Sequence, residues 1–141
     1  MAVKQVSVFI ENQTGRLSEL TGILADHDID LNAATIAETG EYGILRSIVQ
    51  NPEETVRVLS SNGFMASVTE VLAVGIENRP GGLDRVLKLL SGGGIDVKYI
   101  YSTIQSIKGE AVIMMKTSDQ EKATEILSAA GVKLCEMEEL K

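Results

Sequence analysis

The chain has 141 residues, of which 44% are hydrophobic, so it can form one ordinary domain or two small ones. Twenty acidic and thirteen basic residues leave a formal net charge of -7, which argues against nucleic acid or an anionic membrane as the main partner. The start of the chain runs directly into strand-like sequence, and no run of about 18 apolar residues occurs, so we expect a soluble, cytoplasmic protein.

One short sequence occurs twice, 66 residues apart. Residues 10–17 read IENQTGRL and residues 76–83 read IENRPGGL. Each copy follows alternating apolar residues and precedes apolar residues at helical spacing, so each lies at a turn from a strand to a helix. The repeat predicts two domains, residues 1–69 and 70–141, and suggests that the function lies at the two turns.

The first copy has a clear order of elements. Alternating apolar residues predict a strand over residues 6–10. Leu17, Leu20 and Leu24 then recur at helical spacing and predict the buried stripe of an amphipathic helix that ends at residues 26–28. The remaining elements are predicted as a strand over residues 29–37, a hairpin turn at 38–43, a strand over 44–49, a helix capped by Asn51 with Pro52 at its first position, and a strand over 64–68.

The second copy repeats this order. Its predicted elements are a strand over residues 72–76, a helix that includes Leu83 and Leu90 and ends at the glycines 92–94, strands over 95–101 and 111–115, a helix with a capping box at 118–121, and a strand-like stretch that contains Cys135. The offset between the copies grows from 66 to 68 residues, which predicts two extra residues in or beside the second hairpin.

Each half therefore has the order βαββαβ, which is typical of the ferredoxin-like fold: an α+β unit in which an antiparallel four-stranded sheet carries two helices on one face. The other face of such a sheet is uncovered. A unit of about 70 residues has a small core, so we expect this face to pack against the sister repeat or another chain, and we expect a homodimer.

No catalytic group, metal site or cofactor is indicated by the sequence. The single histidine, His27, lies between Asp26 and Asp28 at a predicted helix end, where solvation and the helix dipole account for it. Cys135 is the single cysteine, and a buried thiol is the favoured interpretation. These residues do not supply the three or four ligands of a zinc site or the nucleophile and base of a hydrolase.

The turn before each first helix has two interpretations. Free amides at a helix N-terminus, together with the positive end of the helix dipole, can hold an anion such as an α-carboxylate. Alternatively, glycine permits a tight turn, Asn caps it and Pro starts the helix, which gives residues 78–82 a purely structural role. The residues alone favour the structural role.

The two turns carry the resemblance of the chain to a known family. The sequence E-N-R-P-G-G-L at residues 77–83, and E-N-Q-T-G-R-L at residues 11–17, resemble the E-N-R-P-G-x-L motif that ends the first strand of ACT domains. The match continues in I-D-L-N at residues 29–32 and I-D-V-K at 95–98, which are similar to the start of the second strand in that family. The whole chain resembles two tandem ACT domains.

The resemblance implies regulatory binding of a small molecule, most often an amino acid, at an interface between paired ACT domains. It implies a ligand site at the turns and at the start of the second strand. The implied residues are Asn12, Thr14, Gly15, Arg16, Leu17, Asp30 and Asn32 in the first copy, and Asn78, Gly81, Gly82, Leu83 and Asp96 in the second.

The chain departs from the family pattern at three places. Ile10 and Ile76 stand where members that sense serine carry His, so serine is not indicated. Thr14 replaces the Pro of the motif in the first copy. Asp30 and Asp96 replace Asn, and a carboxylate there suits the ammonium group of a ligand.

Three functions remain open from the sequence. The first is a module that binds an amino acid, or a similar small carboxylate, and regulates a separate enzyme or transporter. The second is a structural module that holds an oligomer together without a ligand. The third is a small enzyme on the ferredoxin-like plan, which is disfavoured because no matched acid and base are found.

Overall fold

A computed structural model of the protein describes residues 2–103 and 109–140. Its elements follow the predicted order, except that the strands predicted over 64–68 and 72–76 form one continuous strand and a short 3-10 helix follows the last strand. The first half contains β1 (Val3–Glu11), α1 (Arg16–Asp26), β2 (Ala33–Glu38), β3 (Tyr42–Ile48), α2 (Pro52–Ser61) and the long strand β4 (Met65–Glu77). The second half continues with α3 (Gly82–Gly92), β5 (Val97–Ser102), β6 (Glu110–Thr117), α4 (Gln120–Ala129), β7 (Lys133–Leu134) and a short 3-10 helix (Met137–Leu140). Two extra residues were predicted in or beside the second hairpin, and residues 104–108, which follow β5, lie outside the described residues.

The chain forms two compact units. The first unit is residues 4–69, and the second is residues 70–140 together with residues 2–3, so that the boundary lies inside β4. The strand order is β2-β3-β1-β4 in the first unit and β7-β4-β6-β5 in the second. The pairs β1–β3, β2–β3, β4–β6, β5–β6 and β4–β7 are antiparallel. The predicted ferredoxin-like α+β fold is confirmed in each unit.

The core of each unit lies between its sheet and its two helices. In the first unit, Val6 and Val8 of β1 pack with Leu20 and Leu24 of α1, and none of these side chains is more than 3% exposed. The corresponding core residues of the second unit are Leu72 and Val74 of β4 with Val86, Leu90 and Leu127 of the helices. Burial of each such side chain stabilises its unit by about 1.5–3 kcal/mol. Apolar residues that recur at helical spacing in the sequence thus contribute to both cores.

The second strand of each unit starts later than predicted. Strand β2 begins at Ala33 rather than at residue 29, because the amide of Ile29 donates a hydrogen bond to the Leu24 carbonyl (2.9 Å) and so belongs to the end of α1. Strand β5 begins at Val97 rather than 95, because Ile95 bonds the Leu90 carbonyl in the same way (2.9 Å). These bonds close the C-terminal turns of the helices, which the apolar pattern of the sequence does not show.

The helix caps agree with the prediction in α2 and differ in α4. The side chain of Asn51 accepts a hydrogen bond from the Glu54 amide (3.3 Å), with Pro52 at the first helical position. In α4 the cap is Asp119, which accepts from the Lys122 amide (3.0 Å), whereas the predicted capping box began at Ser118. Strand β6 extends to Thr117 and Ser118 bonds the Asp96 amide instead, so the helix starts one residue later than the sequence suggested.

The thiol of Cys135 is buried, as the sequence indicated, and the Cys135 amide donates to the Ala73 carbonyl (2.8 Å) just after β7. Burial, with a smaller contribution from the nearby Glu139 carboxylate, raises the pKa of the Cys135 thiol. The group is therefore held in its neutral, unreactive form.

Candidate functional site

The two repeated turns share one backbone conformation. Gly15 (φ 85°, ψ -9°) and Gly81 (φ 88°, ψ -8°) both adopt the left-handed conformation immediately before a helix. Gln13 and Arg79 occupy equivalent positions, and each amide bonds the carbonyl two residues earlier (2.9 Å). A positive φ of this kind is tolerated by glycine at little cost, which explains the glycine at both positions.

The helices that follow the repeated turns lack a side-chain cap. Within the described residues, no side chain accepts a hydrogen bond from the first-turn amides at the N-cap of α1 or of α3, in contrast to the caps supplied by Asn51 in α2 and Asp119 in α4. Helix α3 begins at Gly82, so Pro80 does not occupy its first position. In the structural interpretation, the Asn cap and the Pro start of the helix are therefore wrong, whereas the glycine that permits a tight turn is confirmed by the left-handed Gly81. The Arg16 and Gly82 amides donate to the Gln13 (3.2 Å) and Arg79 (3.1 Å) carbonyls, so only the amides of the following residues in each first turn are suited to hold an anion.

Asn12 ties the first turn to the β2–β3 hairpin. Its backbone amide donates to the Glu41 carbonyl (2.7 Å) and its side-chain Nδ2 donates to the Gly40 carbonyl (2.8 Å). A side-chain amide is needed for the second bond, and both bonds hold the turn against the hairpin. Asn12 thus positions the turn, and through it the N-terminus of α1.

A pocket of about 190 Å³ lies between the first turn and the hairpin. Its apolar wall is formed by Leu17 and Ile36, which are 41% and 45% exposed. The prediction that Leu17 belongs to the buried stripe of α1 is wrong, because α1 extends one turn beyond the core that covers Leu20 and Leu24. Two large apolar side chains thus remain half exposed in a concave site.

The polar residues of this pocket come from both sides of it. Glu11 and Gln13 line it from the end of β1 and the turn, and Glu38 lines it from the end of β2. Glu11 pairs with Tyr42 across β1 and β3, so the pairing register brings the hairpin to the turn. The sequence predicted the hairpin but not this register, and for that reason Ile36 and Glu38 were not among the predicted site residues.

Arg16 points to a different set of partners. Its Nη1 lies 3.1 Å from the Glu19 carboxylate, and its guanidinium carbon lies 3.9 Å from the centre of the Phe64 ring. The ion pair joins two residues of α1, and the cation–π contact holds the start of α1 against Phe64, which follows α2. Arg16 does not line the pocket at the first turn.

Asp30 and Asn32 lie far from the first turn within their own unit. They precede β2, whereas Ile36 and Glu38 end it, and six residues of strand at about 3.3 Å each separate Asn32 from Glu38 by about 20 Å. Asp30 instead lines a groove of about 490 Å³ beside the C-terminal half of α1. One small ligand cannot contact both groups of predicted residues in the same unit.

Asn32 nevertheless has an unusual side chain. Its Nδ2 is buried and has no hydrogen-bond partner within the described residues, although its backbone amide donates to the Ile48 carbonyl (2.8 Å). An unsatisfied buried donor costs about 1–3 kcal/mol. Asp96, at the equivalent place in the second unit to Asp30, is exposed, and its amide is held by Ser118.

The second turn lines a smaller and more charged pocket of about 120 Å³. Gly81 and Gly82 form one side, and its charged lining residues are Glu77, Arg79, Arg85, Glu110 and Lys133. Arg79 forms an ion pair with Glu77, and Arg85 donates to the Ala130 carbonyl (3.0 Å). Neither Asn78 nor Leu83 is among the residues that line it, so the two turns present different chemistry.

Neither a metal-binding cluster nor a membrane-spanning helix occurs in the described part of the chain. Residues 2–103 and 109–140 contain no group of three or more His, Cys, Asp or Glu side chains that could hold a metal ion. In the same residues, no helix combines the length and the apolar character that a bilayer crossing requires.

The comparisons with known proteins agree on one family. A family model described as an ACT domain pair matches residues 1–141. The crystal structure of protein BT0572 from Bacteroides thetaiotaomicron is 37% identical, with a TM-score of 0.92, over 99% of this chain and 96% of that one. The ligand-free regulatory subunit of aspartate kinase from Thermus thermophilus has a TM-score of 0.63 at 14% identity, over 90% of this chain and 91% of that one, and so shares the fold. No curated protein matches the chain in sequence.

Proposed function

Because the chain belongs to the family of ACT domain pairs, we propose that it is a regulatory protein that binds a free amino acid, or a similar small carboxylate, at its repeated turns. The two proposed ACT domains are residues 1–69 and 70–141. In this proposal the protein acts by binding rather than by catalysis, and it transmits the presence of the ligand to a separate enzyme or transporter.

One observation carries the proposal: the first turn of α1 lies without a side-chain cap beside a concave pocket with half-exposed apolar walls. The amides of residues 14–18 are at the positive end of the helix dipole, which favours a carboxylate. The left-handed Gly15 and the hydrogen bonds of Asn12 hold that turn in place before any ligand arrives. A site that is formed in advance loses less entropy when it binds.

The alternative, a structural module that holds an oligomer together, is favoured by a second observation. On the sheet face opposite the helices, Phe9, Tyr42 and Met65 are each at least 40% exposed, and the rings of Phe9 and Tyr42 lie 4.6 Å apart. An exposed apolar group of this kind is typical of an interface. Binding and assembly are compatible, so we include a homodimer in the proposal.

The proposed partner at this face is a second copy of the chain. Glu11 and Arg46 lie on the same face of β1 and β3, opposite Tyr42 and Ser7 respectively, and therefore at the two ends of the apolar group. A two-fold contact would bring the Glu11 end of one copy to the Arg46 end of the other, so the face is complementary to itself in charge.

Thermal denaturation of the full chain with each of the twenty amino acids tests the proposed function. A ligand that binds only the folded state at 100 times its Kd stabilises that state by about 2.7 kcal/mol. At about 4–8 °C per kcal/mol for a unit of this size, the expected rise in Tm is about 10 °C or more.

The matched control is the amide of the best amino acid, which has the same side chain and ammonium group but no carboxylate. It should give little or no rise in Tm, because the first-turn amides of α1 have no anion to bind. The proposed function is overturned if calorimetry finds no amino acid that binds with a Kd below millimolar.

A further inference from the structure

The two turns differ in a way that points to the kind of ligand. Resting on the proposed function, we propose that the pocket at the first turn selects an α-amino acid with a branched aliphatic side chain, of the size of leucine, isoleucine or valine. The proposal assigns this ligand to the first turn alone and not to the second.

The shape of the pocket supports an aliphatic side chain. Leu17 of α1 and Ile36 of β2 both lie on the helix side of the sheet, beyond the end of the core, and the nearly buried Ile10 also lines the pocket. A ligand in the pocket would cover the exposed surfaces of Leu17 and Ile36. Covering them with an apolar group removes their surface from water, which an amino acid with a polar side chain cannot do as favourably.

Gly43 keeps this space open. A Cβ added to Gly43 would lie 3.2 Å from Cγ2 of Ile36 and 3.0 Å from the Ala37 carbonyl oxygen, which is closer than side chains normally approach. Any larger residue would push Ile36 out of its position on the wall. The glycine at this place in the hairpin thus fixes the apolar wall while adding no bulk to the pocket.

The charges of the pocket fit the rest of an amino acid. Glu38, which lies on the same face of β2 as Ile36, supplies a carboxylate for an ammonium group. Leu17 is the residue of the uncapped first turn of α1 that lines the pocket, and its amide is available for the carboxylate of the ligand. Among the described residues that line this pocket, none is Lys or Arg. A ligand with an acidic side chain would place a second negative charge near Glu38 without a basic partner, so the pocket disfavours it.

In the described part of the chain, which omits residues 104–108, the second turn lacks these features. Leu83 is equivalent to Leu17 at the offset of 66, but it does not line the pocket at the second turn. Arg79, Arg85 and Lys133 line that pocket instead. That pocket is smaller, at about 120 Å³ against about 190 Å³. Among the residues that the structure describes, an apolar wall of this kind is found at the first turn.

Isothermal titration calorimetry of the full chain with leucine, isoleucine, valine, alanine, aspartate and lysine tests the inference. We expect one of the three branched amino acids to bind at least about tenfold more tightly than alanine, since a single methylene in an apolar pocket is worth roughly 10–200-fold. Aspartate should bind more weakly than alanine.

Two variants and a matched control locate the site. Leu17→Ser and Ile36→Thr should each weaken binding of the branched amino acid by about tenfold and change binding of alanine by less than about threefold. Val68→Ser changes a residue of β4 that is 39% exposed and lies outside the pocket, so it should change neither affinity. Circular dichroism of each variant checks the fold, and the two variants change different elements, so that a folding defect in one leaves the other to decide.

The outcomes separate the two proposals. If aspartate, lysine or alanine binds as tightly as the branched amino acids, the inference is overturned while the proposed function stands. If the branched amino acids bind best but Leu17→Ser and Ile36→Thr have no more effect than Val68→Ser, the assignment to the first turn is overturned. If no amino acid binds, both proposals fail.

Discussion

Replacing Gly82 by alanine should destabilise the second unit by about 1–3 kcal/mol. Gly82 is the first residue of α3, and a Cβ added to it would collide with the carbonyl oxygen of Glu77, which already accepts the Arg79 amide (2.9 Å). Backbone atoms cannot move aside as a flexible side chain can, so the turn or the helix start must shift. Overpacking of this kind costs about 1–3 kcal/mol.

Thermal unfolding followed by circular dichroism measures the effect. At about 4–8 °C per kcal/mol, the Gly82→Ala variant should melt at least about 4 °C below the unmodified chain. Gly22→Ala is the matched control, because Gly22 is exposed in the interior of α1 and an added Cβ would meet nothing within 4 Å. That variant should gain about 0.5–1 kcal/mol from the better helix propensity of alanine.

The equivalent position in the first turn provides a direct comparison for the Gly82 prediction. Arg16 occupies the position equivalent to Gly82, so the sequence alone suggests that a side chain is tolerated there. A Gly82→Ala variant that melts at or above the temperature of the unmodified chain would refute the steric reasoning. It would also show that the second turn is as open to substitution as the first.

The remaining two predictions concern the α4 cap and the proposed interface. Asp119→Ala should cost about 0.5–2 kcal/mol in urea unfolding because it removes the cap of α4, and no loss of stability would show that the cap assignment is incorrect. Phe9→Asp places a charge in the exposed apolar group on the open face of the first unit and should convert the dimer to a monomer in light scattering. A monomer in the unmodified chain, or a variant that still forms a dimer, would contradict the proposed interface.

The sequence predicted the fold because both copies carry local signals that agree with one another. The alternation of β1, the apolar stripe of α1 and the Asn51 cap each describe a few neighbouring residues, and the repeat shows the same order twice. Where the prediction failed, a contact between distant residues decided the outcome. The start of β2 was misplaced because the Ile29 amide belongs to the end of α1, a bond that leaves no apolar pattern.

Only one wall of the candidate site could be predicted from the sequence. The turn residues from Asn12 to Leu17 form a continuous motif, so the sequence points to them directly, and of these Asn12, Gln13 and Leu17 line the pocket. The other wall, Ile36 and Glu38, depends on the register in which β2 and β3 pair with β1, and a shift of one residue would have moved each side chain to the opposite face. The role of Asn12 was also hidden, because its partner, the Gly40 carbonyl, lies 28 residues away in the chain.

The central claim is that an amino acid binds with its carboxylate at the repeated turn that follows β1. Amide hydrogen exchange of the full chain, measured with and without the amino acid that raises the Tm most, tests it directly. The account predicts that exchange slows at residues 14–18, together with the end of β2, in the presence of the ligand. The claim is contradicted if no amino acid binds, or if a bound amino acid leaves the exchange of the first-turn amides of α1 unchanged.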